Sequence, residues 1–470
     1  MRVVGIVAEY NPFHTGHEYH LREAKRAADA DYAVVVMSPD FVQRGEPAIF
    51  GKYVRTAMAL RGGADLVLEL PAACATGSAE SFATGAVSLL DASGAADALC
   101  FGAETAELRL FERTARVLNE EPEPYRLTLQ DGLRQGLTFP QARSRALASY
   151  LSTAQNTADS EAGTYARMPA DSGKLPDVCS PGTKDVPGPS QLADFLASPN
   201  NILGIEYCRA LQSLQSAITP VPIARVGSAF NSTALDDAYC SATALRHAVA
   251  GQYTSRCAIA GQYALHHEAA LRYIPESCRS LFEAACRQPV FADDFLPYLT
   301  WKLLTTDDFT KIADISPSLS DRIQKLRFQC IGKSFGETVE LLRTKQLTEA
   351  RVRRALLHLI LDIHSENEWD VIDTRQTDRP YNGHASRAVT ARYARILGFR
   401  QDAAPLLHEL KKRSRIPLLS KPARALSQLD AASRNMWLQD VSASHLYRAV
   451  LSQKYGLTFK TEYEYSPLRL

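Results

Sequence analysis

Four short apolar runs, Arg2 to Val7, Tyr32 to Met37, Asp65 to Leu70 and Ala98 to Phe101, divide the first hundred residues, with helix-patterned stretches between them. That alternation restricts the chain to a parallel sheet built from strand–helix–strand units, because a continuous apolar strand needs both of its faces covered. The spacing predicts helices over Gly16 to Ala28, Tyr53 to Arg61 and Ala79 to Leu90. The expected fold is α/β, a doubly wound, Rossmann-like sheet. Ligands of such sheets lie beyond the carboxyl ends of the strands, so chemistry is sought after Val7, Met37, Leu70 and Phe101.

The chain has 470 residues, more than one ordinary core holds, and two units are expected, 1–250 and 251–470. A formal net charge of +1 gives no global attraction to nucleic acid, so any such role must rest on local patches. The nine cysteines are scattered without the close pairing of a zinc or redox motif, and buried thiols are expected. The opening MRVVGIVA reads as a strand rather than a signal peptide. No stretch approaches the about 18 uninterrupted apolar residues of a membrane span. A reducing cytoplasm fits these features.

Ala106 to Tyr150 is helical in pattern. Residues 152–190 are rich in Ser, Thr, Asp, Gly and Pro and read as a mobile, disordered insertion. Order is expected again from Ser198, with a helix over Ile202 to Leu214, a strand over Thr219 to Val226 and a helix from Ser241. Beyond about residue 260 no buried strand is evident, and an all-helical C-terminal domain is expected.

After the first strand the chain reads Val7-Ala8-Glu9-Tyr10-Asn11-Pro12-Phe13-His14-Thr15-Gly16-His17-Glu18-Tyr19-His20. A helix opening directly after a strand presents backbone N–H groups and a positive dipole end to phosphate. Gly16 removes a side chain where backbone must approach a ligand, and Pro12 stiffens the entry. The imidazoles of His14 and His17 are placed to donate to phosphate oxygens as charge builds on them. A cap plus a surface histidine is the competing account, and the strand-to-helix context favours the phosphate role.

His14-Thr15-Gly16-His17 resembles the HxGH signature of the nucleotidylyltransferase superfamily. The longer string from Glu9 to His17 resembles one family within it, the bacterial tRNA(Met) cytidine acetate ligases. Further blocks agree in order: Phe41 to Ala48, Gly63 to Pro71, Ser78-Ala79-Glu80, Cys100 to Glu104, Pro199 to Tyr207 and Ser241 to Arg246. The resemblance implies a carbon–nitrogen ligase that activates acetate as acetyl-adenylate. The acetyl group then passes to N4 of the wobble cytidine of elongator tRNA(Met), releasing AMP and pyrophosphate. ATP would be a substrate, magnesium would accompany its phosphates, and no tightly bound organic cofactor is implied.

The resemblance also implies that ATP is held by Val7 to His20, by Gly102, by Asn200 and by the pair Arg225 and Val226, with His14 and His17 catalytic. Read from the residues, Gly102 is equally a turn glycine, Asn200 a helix cap, and Arg225 the partner of a surface carboxylate. Ser241, Thr243 and Arg246 resemble the second phosphate-binding signature, against a plain cap by Ser241. Gln43 and Arg44 follow the second strand, close to where substrate is expected to enter, against a solvated loop. Two basic stretches, Lys345 with Arg351, Arg353 and Arg354, and Lys411-Lys412-Arg413, are the candidates for tRNA phosphates, against solvated helix faces.

Two departures from the family pattern stand near the expected site: Pro39-Asp40 in place of Gly-Asn, and Phe230-Asn231-Ser232 in place of Tyr-His-Asp. They keep open the reading of a catalytically impaired ATP- and RNA-binding protein, while the first motif, taken alone, also fits an adenylyltransferase acting on a small phosphate ester.

Overall fold

The structure, a computed structural model, describes residues 1–158, 189–225, 240–255, 269–365, 371–372 and 388–470. Its strands are β1 (Val3–Ala8), β2 (Tyr32–Met37), the hairpin β3 (Phe41–Val42) and β4 (Glu46–Pro47), β5 (Leu66–Glu69), β6 (Ala98–Ala103) and β7 (Thr219–Ala224). There follow the pair β8 (Val371–Ile372) and β9 (Ala388–Val389), then β10 (Ala394–Phe399), β11 (Leu418–Leu419) and β12 (Leu468–Arg469). The main sheet runs β11-β10-β5-β2-β1-β6-β7, with β12 also on β10. From β5 to β7 all neighbours are parallel, which is the doubly wound order expected.

Both faces are covered, which explains why the central strands β1 and β2 are almost continuously apolar. Val4 and Ile6 of β1 pack with Phe13, Leu21 and Met58 on one side. Val3, with Val34 and Val36 of β2, packs with Leu89, Leu90 and Phe111 on the other. The helices on these faces are α1 (Thr15–Ala27), α2 (Lys52–Arg61), the short α3 (Ala72–Ala75), α4 (Ala79–Ser93), α5 (Leu108–Glu120), α6 (Glu123–Arg134), α7 (Phe139–Ala158), α8 (Pro189–Ala197), α9 (Pro199–Ser213) and α10 (Ala242–Ser255). The expected insertion is therefore shorter at both ends, since α7 continues to Ala158 and α8 begins at Pro189; its remainder, 159–188, lies outside the described residues.

The C-terminal part is mainly helical, with helices at Leu296–Thr305, Pro317–Cys330, Phe335–Leu342, Glu349–Leu361, Ala404–Arg413 and Ala431–Tyr455. The expectation of no buried strand past residue 260 is corrected by β10, which is buried along most of its length and lies antiparallel to β5. Its sequence, ARILGF, hides it because a charged residue, Arg395, stands second in the run. That guanidinium is neutralised only by residues far away in sequence: it pairs with Glu69 at 2.8 Å and with Glu462. The described cysteines are free and buried, and no described helix is long and apolar enough to cross a membrane.

Candidate active site

A cavity of about 380 Å³ opens at the carboxyl ends of β1, β6 and β7. It gathers residues from five separated blocks: Val7 to Asn11 with His14, Gly16, His17, Tyr19 and His20; Gln43 and Arg44; Gly102; Asn200; and Arg225 with Ser241 and Arg246. Pro12, Phe13, Thr15 and Glu18 belong to the same segment but are not on the cavity wall, and Phe13 is wholly buried. Val226 and the departure at Phe230-Asn231-Ser232 lie outside the described residues.

Tyr10 leaves the strand in a left-handed backbone conformation, φ 49°, unusual for an aromatic residue. Its buried ring packs edge-on against Phe13 at 4.9 Å and His17 at 4.8 Å, contacts that hold the turn. His14 then caps α1: its Nδ1 accepts the Gly16 N–H at 3.1 Å, while Nδ1 of His17 accepts the His14 N–H at 3.3 Å. With both Nδ1 atoms accepting, each neutral ring carries its proton on Nε2. The rings lie 3.7 Å apart between centroids, so the pair forms one donor surface.

Burial, reinforced by Arg225, pushes His14 down to about 3, and His20 is lowered to about 4 for the same reasons. His17 is lowered well below its ordinary value by burial and by its histidine neighbours. All three are neutral near neutral pH, and His14 and His17 present Nε2 as a donor. One expectation changes here. The backbone N–H groups at the helix start, read as phosphate donors, are already engaged, Gly16 with His14 and Thr15 with the Tyr273 carbonyl at 2.8 Å. The imidazole edges face the cavity in their place.

Gly102 lies inside β6 rather than in a turn, and a Cβ there would meet Cγ of Arg225 at 3.3 Å, so the glycine lets the arginine cross it. Arg225 reaches Asn200, whose amide donates to Glu104 at 2.6 Å; Asn200 does not cap α9. Asn200, Leu203 and Tyr207 follow one another on the cavity face of α9. Their i, i+3, i+7 spacing was the available signal for Leu203 and Tyr207, which motif reading missed, along with Phe82, Phe101 and Ile223.

Ser241 does cap α10, accepting the Ala244 N–H at 3.0 Å, and it lines the cavity as well. Arg246 donates to the Asn11 carbonyl at 3.0 Å and to Thr243 Oγ1 at 3.2 Å, and its Nε lies 3.4 Å from Glu46. Arg44 also donates to Thr243 Oγ1, at 3.2 Å, and stands 4.0 Å from Glu9. The β3–β4 loop, the first motif and the start of α10 thus meet around alternating charges. Pro39 and Asp40 are not on the cavity wall: the Pro39 carbonyl accepts from Arg55, and Asp40 Oδ1 accepts the Lys52 N–H at 2.8 Å.

The two basic stretches part company. The helix carrying Arg351, Arg353 and Arg354 rests directly on the β3–β4 loop, where a Cβ on Gly45 would come within 2.5 Å of the Arg354 nitrogen. Arg354 is paired with Asp314 and Arg353 with Glu349, and Lys345 is exposed beside them. Lys411 to Arg413 lie at the opposite end of the sheet: Arg413 faces Asp97, whose carboxylate takes the Val3 N–H at the start of β1. Lys412 pairs with Glu409.

The family model of the HIGH nucleotidyl transferases matches residues 1–461. A tRNA(Met) cytidine acetate ligase of Acetivibrio thermocellus is 35% identical over 95% of this chain and 94% of its own. One of Clostridium kluyveri is 31% identical over 100% of this chain and 99% of its own. The crystal structure of Thermotoga maritima TmcAL bound with alpha-thio ATP superposes with a TM-score of 0.79 at 27% identity, covering 100% of both chains. The apo form of that protein gives 0.81 at 28% identity, again covering 100% of both chains. With its histidine pair at the carboxyl edge of a doubly wound sheet, and relatives matched along nearly its whole length, the chain belongs to the tRNA(Met) cytidine acetate ligases of the HIGH nucleotidyl transferase family.

Proposed function

We propose that this chain is an ATP-dependent ligase that makes acetyl-adenylate and transfers the acetyl group to N4 of the wobble cytidine of elongator tRNA(Met). The observation that carries this reading is the His14–His17 pair, two neutral Nε2–H donors side by side on the cavity wall. Adenosine fits against Gly102, Asn200 and Arg225, where the glycine leaves room for the arginine to line the cavity. Val226 belongs to the same proposal. The triphosphate then crosses the histidines toward Thr243 and Arg246, with Ser241 at the helix start.

An acetate oxygen attacks the α-phosphorus opposite the departing pyrophosphate. The two imidazoles strengthen their hydrogen bonds as charge grows on the equatorial oxygens. Acetate by itself is a poor acyl donor, and the adenylate supplies a leaving group that the weakly nucleophilic cytosine amine can displace. Gln43 and Arg44 stand where acetate and the nucleobase must enter.

Magnesium fits as a companion of the triphosphate. Among the described residues no group of three His, Cys, Asp or Glu side chains is placed to hold a metal, whereas magnesium characteristically takes phosphate oxygens and water. Residues 1–250 supply the catalytic surface, and 251–470 most of the tRNA contacts. Lys345, Arg351, Arg353 and Arg354 are the contacts nearest the cavity, and Lys411, Lys412 and Arg413 are remote ones. The reaction belongs in the cytoplasm, where tRNA is modified.

Labelled acetate incubated with ATP, tRNA(Met) and the protein should appear on the anticodon cytidine. Replacing His14 or His17 with Ala should lower the rate by roughly 10²–10³-fold, the loss expected for one preorganised donor. ATP–pyrophosphate exchange that requires an added small phosphate ester and ignores acetate would point instead to that ester as acceptor. ATP binding without label transfer would leave an impaired RNA-binding protein.

A further inference from the structure

Two steps separate acetate from acetylcytidine, and only the second has to dispose of a proton. Attack of acetate on the α-phosphorus forms a P–O bond and expels pyrophosphate, with no proton released. Attack of N4 on the acetyl carbon forms a C–N bond and breaks the C–O bond to AMP, and the nitrogen must give up one of its two hydrogens. A proton acceptor is therefore needed on the cavity wall for transfer alone.

The histidine pair does not supply it. Nδ1 of His14 and Nδ1 of His17 are both committed as acceptors of backbone N–H groups, so the edges turned to the cavity carry protons. The phenol of Tyr207 is pushed up by burial and the Cys240 thiol is pushed up to about 12, so neither is ionised near neutral pH. Glu46 pairs with Arg246, Glu104 takes the Asn200 amide, and neither lines the cavity.

Among the described residues, Glu9 is the one carboxylate on the cavity wall. It stands beyond the end of β1, five residues before His14, with its side chain 21% exposed. Oε1 accepts the Gln43 N–H at 3.0 Å, which anchors the group. Oε2 lies 4.0 Å from Arg44 Nε, beyond hydrogen-bond reach.

We propose that Glu9 is the general base that takes the N4 proton as cytidine displaces AMP from the acetyl-adenylate. The step balances: the amine becomes an amide, AMP leaves with the electron pair of the broken C–O bond, and the proton resides on Glu9 until solvent removes it. Burial raises the Glu9 carboxyl above its ordinary value, against the lowering effects of Arg44 and Arg246, so it is a stronger base than an exposed glutamate. The inference rests on the acetate ligase reading.

Glu9→Gln tests it, because the amide oxygen still accepts from Gln43 while the base is gone. Adenylate formation is read as acetate-dependent pyrophosphate exchange, and transfer as a single turnover of preformed acetyl-AMP with tRNA(Met). Transfer should fall roughly 10²–10⁴-fold further than exchange, and the acidic limb of the transfer pH profile should disappear. Equal losses in the two half-reactions, or a wild-type pH profile in the variant, would overturn the assignment. Should Glu9→Gln fail to fold, Glu9→Asp decides: an acidic limb kept, with transfer slowed on the order of tenfold relative to exchange, supports the base. Transfer unslowed relative to exchange in Glu9→Asp rejects it. Wild-type protein that makes no acetyl-AMP would remove the ligase reading itself, a result distinct from either.

Discussion

At His14 and His17 the local sequence and its surroundings divide the work. The spacing of the motif told which two rings stand together at the start of α1. Their protonation state came from burial and from the helix cap, which commits both Nδ1 atoms. A consequence follows for stability. Folded His14 binds a proton only near 3 and His20 only near 4, whereas unfolded imidazoles do so near about 6.5. Between those values the unfolded chain holds more protons, so stability rises with pH across that window and declines as acid is added. Each ring contributes up to about 1.4 kcal/mol per pH unit. Urea midpoints measured from about pH 7 down to about pH 5 should fall, and His20→Asn should make the fall shallower; a slope as steep as wild type would contradict a buried neutral ring.

Among the elements, α9 shows how packing on one face sets chemistry on the other. Asn200, Leu203 and Tyr207 face the cavity, while Gly204 presses on the aromatic core of the sheet. A Cβ at Gly204 would meet Phe101 and Phe111 at 2.6 Å, so Gly204→Ala should push the helix outward. The expected cost is about 1–3 kcal/mol in a thermal or urea melt, with weaker ATP binding by titration because Asn200 moves with the helix. A variant that loses stability but binds ATP as wild type does would detach Asn200 from the nucleotide. Strands β1, β2, β5 and β6 were legible because apolar runs bounded by turns identify buried strands. Strand β10 was not, since a buried arginine is recognisable as core only once its partners are known.

The whole molecule is held together by charge as well as apolar contact. Lys52 of α2 meets Glu69 of β5 at 2.6 Å and Glu462 near the C-terminus at 2.8 Å, and Arg395 and Arg448 pair with the same Glu462. All but Arg448 are nearly inaccessible to solvent. Removing the carboxylate strands several cations, so Glu462→Ala should cost about 3–5 kcal/mol by urea unfolding. For the same reason a fragment of residues 1–250 should not fold alone: it exposes the edge of β5 and leaves Lys52 and Glu69 without their C-terminal partners. A cooperative melt of that fragment would refute this.

The sequence by itself determined the parallel sheet, the edge at which the cavity opens and the motif that lines it, because periodicity and turn chemistry are local properties. Tertiary structure alone decided that the C-terminal part completes the sheet, that the helix-start amides are taken, that one basic helix rests on the β3–β4 loop while the other lies at the far end, and that Glu9 is the one carboxylate on the cavity wall among the described residues. Those outcomes depend on which distant residues meet, and pairing and burial across hundreds of positions leave no periodic mark on the chain.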